Sequence, residues 1–173
     1  MHNFMKSVLF ILLWVMVLSM NTFAQNDFAK SAISIGMVVE DLDKSLDFYQ
    51  KVVGMVQVRE FTVDSEKAKR MGLSKGESFD IKVLKLENSE EAAELKLMSF
   101  QLKTSHQNQE FIPDENGIRY LTLFVKSMAA IINRIEKFEV KTLGQTPTML
   151  DTDRQFVLIQ DPDGNFVEFI GPK

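Results

Sequence analysis

Cysteine is absent from the 173 residues, and histidine occurs only as His2 and His106. Without thiols the chain holds no disulfide, no thiolate nucleophile and no cysteine metal site. An excess of positive charge is lacking too. The 20 Lys and Arg residues are outnumbered by 24 Asp and Glu, a formal net charge of −4, which argues against nucleic acid or an anionic membrane surface as a partner. No apolar run is long enough to cross a bilayer either. The apolar stretch Val8–Leu18 falls short of the about 20 residues a spanning helix needs.

That short run is the core of an expected signal peptide. Lys6 precedes it, and Thr22-Phe23-Ala24 has the small-x-small character of a cleavage site before Gln25. Residues 1–24 are therefore expected to be removed, leaving a periplasmic or secreted protein with no stable membrane anchor; the alternative is that the segment stays uncleaved as an anchor. Export without cysteine fits a bacterial envelope better than a disulfide-stapled secreted domain. Removing 24 of the 173 residues leaves 149, a length suited to one domain with its own core.

What is present is organised around the C-terminal stretch. Two apolar runs, Phe156–Ile159 and Phe166–Ile170, flank Asp161-Pro162-Asp163-Gly164-Asn165. Pro162 presets φ, Gly164 supplies positive φ, and Asp161 can bond its own backbone two residues on, so a β-hairpin is expected. In its second strand Phe166, Glu168 and Ile170 share one face.

Upstream, Ala32–Val39 is β-rich. Asp41 can cap a helix carrying Leu42, Leu46, Tyr49 and Val53, which Gly54 ends. Met55–Val63, Phe79–Leu86 and Glu94–Gln101 look like strands, with Asp64–Glu77 between the first two as a charged surface excursion. After the polar linker come a strand (Ile118–Val125) and a helix capped by Ser127. A short strand (Val140–Leu143), a loop (Gly144–Asp153) and the hairpin complete the chain. Both halves thus read β-α-β-β-β. An offset of 86 aligns Ser34 with Tyr120, Asp41 with Ser127 and Leu46 with Ile132, whereas an offset of 72 aligns Lys96 with Glu168. The 14-residue difference is the length of the excursion, so the chain is expected to repeat one unit twice, once with an insertion.

The stretches VVEDLDKSLDFYQKVVGM (Val38–Met55) and QDPDGNFVEF (Gln160–Phe169) resemble the opening and closing motifs of the vicinal oxygen chelate superfamily, which includes glyoxalase I, bleomycin-resistance proteins and extradiol dioxygenases. The resemblance implies an α+β fold in which two βαβββ modules pair into an open, cup-shaped sheet. It places the glyoxalase-like domain at 30–173, with modules 30–103 and 117–173 joined by the linker 104–116. It also implies a homodimer as an assembly open to the chain.

Family enzymes commonly hold a divalent metal through four strand positions, which fall here on Ser34, Lys96, Tyr120 and Glu168. Only Glu168 is a good ligand: lysine is a cation without a lone pair, and tyrosine ligates when ionised. With His106 in the linker, an imidazole site is not available from the strands. No cofactor is expected, and a divalent metal is disfavoured, with Glu168 its ligand if one binds.

In this register Lys96 and Glu168 occupy equivalent places and could pair. Met98 and Phe100 lie beside Lys96, Thr122 and Phe124 beside Tyr120, and Phe166 and Ile170 beside Glu168. Ser34, Lys96, Met98, Phe100, Tyr120, Thr122, Phe124 and Glu168 are the expected ligand-binding residues, with Glu168 the candidate for catalysis. Arg59, Arg119 and Arg154 are candidates for an anionic group. The expected function is metal-independent binding of a small, partly apolar molecule. The alternatives are a glyoxalase-type lyase, isomerase or epimerase with unusual ligands, and an interaction module with a filled cup.

Overall fold

The computed structural model describes residues 27–100 and 108–173. The expected signal peptide, His106 and part of the linker lie outside the described residues. Residues 27–33 carry bends and no helix or strand.

The first module opens with β1 (Ser34–Val38) and α1 (Leu42–Asp47). Asp41 caps α1 by accepting from Lys44 N at 3.0 Å, the expected N-cap bond. The helix then widens into a π-helical segment, Phe48–Val53, and stops at Gly54 with φ 92°. Widening the turn brings Phe48 and Val52 into the core together with Tyr49 and Val53. Next come β2 (Val56–Val63), α2 (Ser65–Arg70), β3 (Phe79–Lys85) and β4 (Glu94–Phe100). They form a four-stranded sheet in the order β1-β4-β3-β2, with β1 and β4 parallel.

The second module repeats the plan. It comprises β5 (Tyr120–Phe124), α3 (Met128–Lys137), β6 (Thr148–Met149), β7 (Arg154–Gln160) and β8 (Phe166–Pro172), with sheet order β5-β8-β7-β6. β1 and β5 begin 86 residues apart and β4 and β8 begin 72 apart, as the repeat requires. Two expectations need correction. Val140–Leu143 is not a strand: it touches β7 through one bridge, Thr142 to Ile159. The edge strand lies instead inside the expected loop, at Thr148–Met149, where pairing with β7 resumes beyond Pro147; proline has no N–H to offer a ladder.

One core joins the modules. Leu84, Leu95 and Leu97 from the first sheet meet Val157, Ile159, Val167 and Phe169 from the second, with Tyr49 and Val52 from the first helix and Met128, Ile131 and Ile135 from α3. Arg134 on α3 donates to the carbonyls of Val52 and Val53 at 2.8 and 3.1 Å, satisfying acceptors that a helix end leaves open.

Candidate functional site

The faces turned away from this shared core hold the expected site residues. In the first module the register sets Arg59 beside Val83, Val83 beside Lys96, and Lys96 beside Gly36. Neighbours in such a row share a face. The equivalent row of the second module is Leu158, Glu168 and Thr122. Lys96 and Glu168 therefore do occupy matching positions, one in each module.

They do not pair with each other. The Lys96 ammonium lies 3.8 Å from Glu94, two residues earlier on the same strand face, while the Glu168 carboxylate accepts from the Thr122 hydroxyl. Glu94 is the hub of the first row. Arg59 Nη2 reaches its two oxygens at 3.0 and 2.9 Å, and the Ser34 hydroxyl donates to it at 3.0 Å. Burial would raise the Glu94 pKa, but the Ser34 hydrogen bond and the charges of Arg59, Lys96 and Lys85 together hold it below the ordinary value. Glu94 was absent from the expected site. Its position on Lys96's face and in register with Ser34 is the signal that could have found it.

The rest of the first face is packed rather than open. Val63, Phe79, Ile81 and Val83 form a cluster with Met98 and Phe100, and Ala68 of α2 is 0% exposed within it. The stretch Asp64–Glu77 is thus more than the expected surface excursion: its helix lies on this face. Phe100 stacks on Phe79 with ring centroids 4.5 Å apart, and the Met98 methyl comes within 3.0 Å of where a side chain on Gly36 would begin. Met98 and Phe100 thus pack against this cluster, and Phe100 also borders a cavity on the α1 side with Asp80, Lys82 and Ser99.

The second face stays open. Tyr120 is 46% and Phe124 72% exposed. Phe156, Leu158 and Phe166, on the face of Glu168, line a cavity of about 790 Å³ closed on its other sides by Phe111–Pro113 and Thr142–Gly144. Phe166 and Tyr120 also border a cavity of about 210 Å³, whose opposite wall is Ile35–Val38 of β1. The other two candidate arginines serve locally. Arg119 donates to the Ile112 carbonyl at 2.9 Å and to Gln109, tying down the linker. Arg154 holds Asp151 at 2.6 Å within a turn.

The two motif stretches themselves meet in a buried latch. Asp161 accepts from the backbone N–H groups of Asp163 and Asn165 at 3.0 and 2.8 Å, the expected turn, and also from the Tyr49 hydroxyl at 2.8 Å. Asp163 accepts from Glu40 N at 2.8 Å and the Ser45 hydroxyl at 3.0 Å. Burial, followed by the Asp161 charge, pushes the Tyr49 phenol well up. Burial likewise raises the Asp161 carboxyl, outweighing its Asn165 and Tyr49 donors. The resemblance thus rests partly on residues that join the modules rather than on residues that face a ligand.

A model of the Glyoxalase/Bleomycin resistance protein/Dioxygenase superfamily matches residues 32–169. The chain belongs to that superfamily. Among solved structures, a glyoxalase family protein from Bacillus cereus superposes with TM-score 0.70 at 17% identity, covering 87% of this chain and 99% of the other. The trypanothione-dependent glyoxalase I of Leishmania major gives 0.57 at 20% identity, covering 83% and 87%. TnmS3, an antibiotic binding protein from a Streptomyces species, gives 0.56 at 19% identity, covering 84% and 99%. At these identities the likeness concerns the fold.

The superfamily's metal positions do not fit a divalent cation in this glyoxalase-like chain. Ser34 is bound to Glu94, Lys96 brings an ammonium, Tyr120 a phenol, and Glu168 stands as the one carboxylate of the four. Among the described residues no three His, Cys, Asp or Glu side chains converge as a metal group requires.

Proposed function

We propose that this glyoxalase-superfamily chain is an exported binding protein that holds a small, partly apolar molecule without a metal. The observation that carries the reading is the Lys96 ammonium, standing at the position equivalent to Glu168 and repelling any divalent ion brought there. The open second face supports it, because its cavity of about 790 Å³ is of small-molecule size, with Phe111, Leu143, Phe156, Leu158 and Phe166 in its wall beside the charged Glu110 and Lys141. The net negative charge supports a small molecule over nucleic acid as partner.

Elemental analysis of the purified protein combined with a thermal-shift screen tests this. A metal-free protein that is stabilised by small apolar compounds agrees with the reading. A ligand present at about 100 times its Kd adds about 2.7 kcal/mol. One tightly held divalent metal per chain would reject it. Intact mass of the exported form beginning at Gln25 tests the signal peptide.

A lyase or isomerase is the second reading. One observation favours it: among the described residues the Glu168 carboxylate has the Thr122 hydroxyl as its partner and no cation. A carboxylate so placed can take a proton from a substrate carbon. One fold hosts both kinds of activity, and loss of turnover in Glu168→Gln with ligand binding retained would establish the enzyme.

A further inference from the structure

The two matching rows carry opposite charge, and the first carries more cation than it can neutralise internally. Arg59 and Lys96 share one carboxylate, Glu94, with Lys85 adding to the same positive field. Arg59 Nη2 occupies both Glu94 oxygens and Ser34 donates to one of them. Lys96 is left at 3.8 Å, beyond hydrogen-bond reach, with a side chain 31% exposed. Among the described residues its ammonium donates no hydrogen bond, though it carries three donors. Gly36, its neighbour across β1, borders the cavity shared with Tyr120 and Phe166, with the Met98 methyl packed over it.

From this we infer that the ligand is an organic carboxylate, its anionic end received by Lys96 on the Arg59 row and its apolar part lying on the second face. The inference rests on the binding reading and adds the ligand's charge and orientation. A monoanion suits the place better than a phosphate dianion. Glu94 beside Lys96, and Glu168 on the matching row, would repel a second negative charge, whereas one carboxylate replaces the water on a single spare ammonium. An aromatic or branched apolar body then covers Tyr120 and Phe124, whose exposure on an otherwise folded sheet face is unexplained by packing.

Titration calorimetry of the full chain with phenylacetate, methyl phenylacetate and inorganic phosphate tests the inference. The acid is expected to bind about tenfold tighter than the ester, the size of one charged hydrogen bond, and more weakly as salt rises. Lys96→Gln removes the preference for the acid. Glu94→Gln has the opposite effect, tightening the acid and leaving the ester unchanged, which a purely structural role for Lys96 does not produce. Equal affinity for acid and ester, an unchanged Lys96→Gln, or phosphate binding as tight as phenylacetate overturns the inference while the binding reading stands. No binding of either phenyl compound overturns the inference, while the binding reading stands or falls on the thermal-shift screen.

Discussion

The two modules share one backbone plan and use the same face of it in opposite ways. In the first, α2 and its Ala68 sit on the sheet, Phe79 stacks with Phe100, and the charges of Arg59, Lys96 and Glu94 gather on one row. In the second, Phe124 and Tyr120 face outward, and Glu168 has a hydroxyl for company. The difference traces to the insertion between β2 and β3, for which the second module has no equivalent. The covered half-cup adds to the packed interior, whereas the uncovered one leaves Tyr120 and Phe124 exposed. Fold similarity alone would have assigned both halves the same role.

The comparison breaks most visibly with paired aromatic truncations. Phe79→Ala empties a packed position and is expected to cost about 3–5 kcal/mol. Phe124→Ala, on the open face, is expected within about 0.5 kcal/mol of the parent. Urea unfolding midpoints of the two variants decide it. Similar losses at both sites would mean that the second face is as filled as the first.

A smaller effect isolates the cover itself. Ala68 is fully buried between the insertion helix and the sheet, so Ala68→Leu has no room for its added methylenes. Overpacking there is expected to cost about 1–3 kcal/mol. On a helix lying free in solvent the same change would be neutral or mildly stabilising, since leucine and alanine are both good helix formers. Stability that is unchanged or raised would therefore detach α2 from the sheet and reopen the first half-cup.

The repeat was readable from residues because its marks are local. Asp41 and Ser127 both cap as expected, Gly54 ends its helix, and the Asp161–Asn165 turn fixes the hairpin register. Those anchors place Lys96 opposite Glu168 by counting alone. The distance between the sheets was not readable, because register assigns a face without setting how far apart two faces stand. Lys96 consequently meets the carboxylate two residues away on its own strand rather than the one in the other module. The role of α2 was hidden for a related reason. Its sequence, SEKAKR, has no apolar stripe, and a single alanine carries the whole contact. The edge strand β6 is two residues long, too short for any alternation to show.

The finest test sets the charged row against the buried latch through pH. The folded Glu94 carboxyl lies below its unfolded value, about 4.3. Its contribution is therefore present above that value and is lost as pH falls through the folded pKa. Asp161 is shifted the other way, raised by burial above an unfolded value of about 3.9. Folding favours its protonated form, so its contribution is present at low pH and is lost as pH rises through the folded pKa. Unfolding free energies between about pH 3 and pH 7 should show this as two slopes of opposite sign. The stability advantage of the parent over Glu94→Gln should shrink on acidification. Relative to Asp161→Asn, the parent should gain. A difference from Asp161→Asn that stays flat across the range would mean that the four donors around this carboxylate outweigh its burial, and that the latch is ionised throughout. A flat difference from Glu94→Gln would mean that its neighbours do not bias its charge, which would remove the electrostatic contrast between the row and the latch.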